Sequence, residues 1–226
     1  MPDVPATGRW SLRASVPGGT FTLAVETDDK TAQAEHAAFA QRCRPLIPAS
    51  QNVDEPELQQ ELIAQLGMLR RLVASAGLGY LGALAGPYHD RPVLLLLGIA
   101  ASPLEMPDGV RAESLLAGSL RCRYPAGQTE EFPTAVGHAV GIRRFAKLPL
   151  PYSPPNEDRA GIETGIAQAL VPFPEAGLLG VVTGLCLTAD GIELATAFTT
   201  KIAYRLSAIP QQPARPPDGH SLPSSS

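Results

Sequence analysis

Cysteine is scarce in this chain, with three in 226 residues at Cys43, Cys122 and Cys186. They are odd in number and widely spaced. No Cys-x-x-Cys pair and no Cys/His spacing suited to zinc occurs, which argues against a disulfide framework and against a structural metal site. Lysine is scarce too: arginine outnumbers it fifteen to three. The arginines are scattered, and the net charge is −4, a balance that speaks against a nucleic-acid surface. Long apolar runs are missing. The longest, residues 92–101, falls well short of the roughly 20 residues a membrane-crossing helix needs. Met1-Pro2-Asp3-Val4-Pro5 carries neither the basic segment nor the apolar segment of a secretory signal. No G-x-S-x-G, Walker A, H-E-x-x-H or EF-hand pattern is found. These absences point to a reducing, cytoplasmic location without membrane insertion. They leave no catalytic residue, metal or cofactor to assign.

What is present is core-forming material: 44% of residues are hydrophobic, enough for a globular interior. One α/β domain is expected over residues 9–208, after a flexible leader at 1–8. A Pro/Ser-rich tail at 209–226 has the composition of disorder. The organising element is Val93 to Ala101, a short apolar run bounded by prolines, which reads as the central strand of a sheet, covered on both faces. Ahead of it, Trp10–Val16 and Thr20–Glu26 alternate apolar and polar residues around Pro17-Gly18-Gly19 and predict a β-hairpin. Helices are predicted after Asp28 and Asp29 through Arg42, and then along the Leu58, Leu62, Leu66, Leu69 and Val73 stripe. Two more are predicted from Val110 to Arg123 and from Asp190 to Ser207. Further strands are predicted at Tyr80–Leu84, Thr134–Phe145, Gly161–Pro172 and Gly177–Thr188. The expected fold is therefore a single, mostly antiparallel sheet of about six to seven strands with helices on both faces.

Few residues invite a chemical role. Gly77-Leu78-Gly79-Tyr80-Leu81-Gly82 spells G-x-G-x-x-G, but a dinucleotide site needs that motif after a strand and before a helix. Here a helix precedes and a strand follows, so the glycines are read as a helix stop and as close packing. His36 and Cys43 are two helical turns apart, roughly 10 Å, too far for the imidazole to activate the thiol. Cys122 and Cys186 are read as core thiols, although Arg121 and Arg123 flank the first. His138 shares a strand face with Val136 and Val140. Either it is a buried, hydrogen-bonded histidine, or it lines a water-accessible cleft beside Arg143 or Cys122 and serves a small-molecule site. Arg143 and Arg144 with Lys147, and Arg121 and Arg123 beside them, either form a solvated sheet end, the commoner arrangement, or converge on an anionic ligand or acidic partner. Pro149–Asp158 is a proline-rich loop beside which a partner surface is expected. Tyr152 lies in that loop and joins His138, Arg143 and Arg144 as a possible contact residue.

The segments SVPGGTFTLAVE, GLLGVVTGLCL and ADGIELATAFTTKIAYRL, taken in their order along residues 9–208, resemble the PsbP-like α/β/α sandwich. This is the fold of the photosystem II extrinsic protein and of a Ran-binding nuclear import factor. The arginine-rich composition is similar to that of actinobacterial members, although the lipidated cysteine of their secreted lipoproteins has no counterpart at the start of this sequence. The resemblance implies a non-catalytic module that acts through an unknown protein partner. It carries over no functional residue. The alternatives are a small-molecule-binding protein or enzyme built on His138 with a nearby Arg or Cys, and a structural subunit whose sheet edge pairs with a second copy into a homodimer.

Overall fold

Leu97 shows how the sheet is assembled. Its cross-strand neighbours are glycines on both sides, Gly82 and Gly184, over which Tyr80 and Thr199 come close, and the leucine itself is fully buried. A computed structural model of the chain describes residues 3–5, 10–23, 29–43, 78–88, 91–149, 161–186 and 191–210. The helix expected along the Leu58 stripe, and Tyr152, lie outside these residues.

The elements, in chain order, are β1 (Asp3–Pro5), β2 (Trp10–Arg13), β3 (Phe21–Leu23), α1 (Asp29–Cys43), β4 (Leu78–Tyr88), β5 (Arg91–Pro103) and α2 (Ala112–Arg123). They continue with β6 (Gln128–Thr134), β7 (Gly137–Pro149), β8 (Gly161–Phe173), β9 (Leu178–Cys186), α3 (Ile192–Tyr204) and β10 (Ser207–Pro210). The main sheet has seven strands in the order β3-β4-β5-β9-β8-β7-β6. Every neighbouring pair in it is antiparallel. Two meanders thus lie side by side, β3-β4-β5 and β6-β7-β8-β9. The chain crosses from one to the other through α2.

Three features differ from the sequence reading. The predicted hairpin does not form. Its turn is real: Thr20 N–H and Thr20 Oγ1 both donate to the Pro17 carbonyl, at 3.3 and 2.7 Å, and Gly19 takes φ 82°. The two strands, however, serve different cores. Leu12 and Ala14 enter the main core, whereas Phe21 packs on Phe39 of α1, ring centroids 5.4 Å apart. So β2 pairs with β1 and β10 in a separate three-stranded sheet while β3 joins the edge of the main one. Asp3–Pro5 of the expected leader and Ile209–Pro210 of the expected tail are strand residues in that second sheet. Second, the strand expected at Thr134–Phe145 is broken by a turn. Gln128–Thr134 forms the edge strand β6 and Gly137–Pro149 forms β7. The glutamates and Pro133 of β6 are edge chemistry, unlike a buried strand. Third, β9, not β5, stands at the middle of the sheet. In β5 the residues Val93, Leu95, Leu97 and Ile99 are buried, while Leu94, Leu96 and Ala100 are half-buried.

β9 alternates in the same way, with Leu178, Gly180, Val182, Gly184 and Cys186 buried and the residues between them partly exposed. The α3 helix packs chiefly on β8 and β9, and glycines let it come close. A Cβ on Gly184 would lie 2.5 Å from Thr199 Oγ1 and 3.0 Å from the Ala195 carbonyl, and one on Gly165 would lie 2.8 Å from Ile192 Cβ. The α2 helix contributes Leu116, Ala117 and Leu120 to a second cluster with Val140, Ile142 and Leu170. At the turn between β8 and β9, Gly177 takes φ 63° and closes the single helical turn Pro174–Ala176. No helix among the described residues is long and apolar enough to cross a membrane.

Tyr80 is 3% exposed, and its hydroxyl lies over Gly82, where a Cβ would come within 2.5 Å of it. The motif glycine Gly82 is thus a packing glycine on a strand. The hydroxyl makes no full hydrogen bond. Burial pushes its pKa above the ordinary 10.0, and the Thr22 side chain beside it offsets only part of the shift. Its proton is held more tightly in the folded chain than in the unfolded one. The stability contribution is therefore intact below pH 10 and is lost as pH rises from there toward the folded value. Tyr80→Phe should lessen the fall in the urea midpoint above pH 10. At neutral pH it should be neutral or stabilising by about 1 kcal/mol, since it removes an unsatisfied buried hydroxyl. Equal alkaline losses in both proteins would rule this account out.

Candidate functional site

Residues that neighbour one another on a strand point to opposite faces, and β7 puts this rule to use. Arg143 and Phe145 share one face, Arg144 and Ala146 the other. The Arg143 guanidinium reaches Glu193 in the first turn of α3 at 3.0 Å and donates to Gln128 Oε1 at 2.6 Å. The Arg144 guanidinium turns the other way and stacks on the Tyr124 ring just past α2, 4.3 Å from its centroid. Arg123 covers the same ring at 5.5 Å. The two adjacent arginines therefore do not converge on one anion. Each anchors one end of a different helix to the sheet.

His138 pairs with Pro133 at the start of β7 and is exposed. Its exposure excludes the buried reading, and the register removes Arg143 as its neighbour in a cleft. Its neighbour Val136, in the turn, is exposed as well. Arg143 is five positions along the strand, about 16 Å away at the usual rise, and faces the other side. Cys122 is exposed near the end of α2, while Cys186 is fully buried at the end of β9. The expectation of two core thiols holds for Cys186 alone. In α2 the buried stripe is Ala112, Leu116, Ala117 and Leu120, and Cys122 falls outside it.

A small cleft runs along the seam between α3 and the sheet, lined by Glu130, Gly141, Arg143, Thr196, Thr199 and Thr200 among others. The small side chains of the floor and the threonines of the helix leave about 10 Å³, room for one water molecule and too little for an organic substrate. Thr196 satisfies its hydroxyl within the helix, donating to the Ile192 carbonyl at 2.8 Å. Thr199 Oγ1 is buried and makes no such bond. Thr199→Val keeps the shape and removes this unsatisfied group, so thermal unfolding should show no loss, or a gain of up to about 1 kcal/mol. A clear loss would mean that the hydroxyl is held by a bound water worth keeping. No group of three or more His, Cys, Asp or Glu side chains suited to a metal ion occurs among the described residues.

The remaining feature is the overhang of β7. Pairing with β6 stops at Arg143, whereas pairing with β8 continues to Pro149. Along Arg144–Pro149 the outer edge of β7 has no strand partner among the described residues. An open edge presents backbone N–H and C=O groups ready to pair. Phe145, 57% exposed, is the most exposed large hydrophobic among the described residues and stands in this stretch, opposite Gly165. Periodicity could place Phe145 on a strand. It could not show that the neighbouring strand would end two residues earlier, because β6 is polar and carries no strand periodicity of its own.

Comparison with known proteins adds no relative: no family model, no curated protein and no solved structure matches the chain.

Proposed function

We propose that this chain is a non-catalytic interaction module of the three-layer α/β/α kind that its sequence resembles, working in the cytoplasm through a protein partner. The layered reading is supported by the side-chain alternation of the sheet. Gly184 and Gly165 meet α3, while Val140, Ile142 and Leu170, of opposite facing, meet α2. The exposed free thiol of Cys122 suits a reducing compartment.

The observation that carries the functional reading is the β7 overhang. An exposed phenylalanine on an open strand edge is a liability that natural sheets usually blunt or cover, so its presence here favours a surface kept for binding. It also lies on the strand that leads into the proline-rich segment where a partner surface was expected. The small-molecule alternative needs His138 in a cleft beside Arg143 or Cys122, and the strand register sets His138 and Arg143 on opposite faces. It draws no support from this geometry.

The test is affinity purification from the native cell with wild-type and Phe145→Asp baits. Proteins retained by the wild type and lost from the variant are the expected result. Identical recovery on both baits would remove the overhang as the interaction surface.

A further inference from the structure

Resting on that reading, the geometry points to the kind of partner: we propose that the β7 overhang accepts an extended peptide strand whose alternate residues are acidic and apolar. Strand addition to an open edge takes its affinity from backbone hydrogen bonds and its specificity from the side chains that flank the edge on its two faces. On one face of the overhang stands Phe145, exposed. The charges beside it are matched. Arg143 is paired with Glu193, and Lys147 lies directly across from Glu163 of β8 in the register. That face therefore offers apolar surface with no unmatched positive charge beside it.

The other face differs. Arg144 and Arg123 both sit over the Tyr124 ring, Arg121 is exposed in the same last turn of α2, and none of the three has an ion pair among the described residues. Neighbouring residues of an added strand would point alternately to these two faces. Those facing Phe145 would be apolar, and those facing the arginines would be carboxylates. A second copy of this chain fits less well. Antiparallel pairing of two overhangs brings two Arg144 clusters to one interface, which like-charge repulsion opposes.

A fluorescein-labelled peptide of alternating glutamate and valine, about eight residues long as befits an edge strand, tests this by fluorescence anisotropy. A lysine–valine peptide of equal length is the control. The acidic peptide should bind and the basic one should not. Arg144→Glu should weaken the acidic peptide by about tenfold, the scale of one charge-assisted contact. With the wild-type protein, and so without any question of altered folding, two N-methylated peptides separate strand pairing from mere charge attraction. Methyl groups on one alternate set of amides should abolish binding, and on the other set should leave it intact.

Equal binding of the acidic and basic peptides, or equal behaviour of the two methylated forms, would overturn the proposal. So would a dimer in sedimentation that Phe145→Glu converts to monomer, because the edge would then belong to a second copy. If the acidic peptide fails while Phe145-dependent proteins are still recovered from cells, the inference about the partner falls and the interaction reading stands. If both fail, both fall.

Discussion

Leu97→Ala should cost about 3–5 kcal/mol, the upper range for removing a buried leucine. It should appear as a fall in the urea midpoint at unchanged slope. The size follows from what surrounds the side chain. Leu97 is 0% exposed and is held in ladders on both sides, opposite Gly82 and Gly184. Neither glycine can extend a side chain into the vacated space, and the strands that carry them are fixed by the rest of their pairing. The cavity would stay open, and the penalty for lost contact grows with the volume that fails to collapse. A domain of ordinary stability, about 5–15 kcal/mol, would lose a large part of it. Leu115→Ala is the matched control, since Leu115 is 42% exposed, and such surface changes stay within about 0.5 kcal/mol. A loss at Leu97 below about 1 kcal/mol would mean that the sheet relaxes far more freely than its ladders suggest.

Gly184→Ala should be the second large effect, about 2–3 kcal/mol, through crowding where Leu97→Ala acts through a void. The new Cβ would meet Thr199 Oγ1 at 2.5 Å and the Ala195 carbonyl at 3.0 Å. The carbonyl is part of the backbone of α3 and cannot turn aside. Nor can the helix lift, because Ala195 and Ile202 are fully buried beneath it. Gly180→Ala offers a contrast on the same strand face. The three atoms nearest a Cβ there are all side-chain ends, of Leu206, Phe173 and Leu12, which can shift by small rotations. Its loss should be smaller, about 1 kcal/mol. Adding Thr199→Ala to Gly184→Ala should recover part of the loss and leave the share due to the carbonyl. Full recovery would show that the hydroxyl alone stood in the way.

Residues with strong local signals were legible in the sequence. The apolar run in β5, the paired strands β8 and β9 around their Pro/Gly turn, and the helices at α1, α2 and α3 all follow from periodicity and turn chemistry. What escaped depended on distant parts of the chain. Trp10–Arg13 and Phe21–Leu23 each look like half of one hairpin, and the turn between them forms, yet the packing of Leu12 and Phe21 against different cores sends the strands to separate sheets. Sequence spacing cannot report which core a strand will enter. β6 escaped for the opposite reason: Glu130, Glu131 and Pro133 are poor strand residues in isolation, and only an edge position makes them suitable. The candidate site shared this fate. Arg143 and Arg144 read as one basic pair, and pleating divides them between two faces. The overhang that gives Phe145 its meaning exists only because β6 is shorter than β7.

The small sheet has a consequence for how the protein is made. β2 lies between β1 and β10, and its register sets Arg13 opposite both Asp3 and Ser207. Its second partner is encoded near the far end of the described chain. During synthesis, which proceeds from the N-terminus, Leu12 and Trp10 emerge early and wait until Ser207–Pro210 has left the ribosome before their ladder is complete. Contacts so distant in sequence form late and slow the final step of folding. Trp10 is the single tryptophan of the chain, so its fluorescence is a built-in clock for the moment when the newly made polypeptide closes on itself.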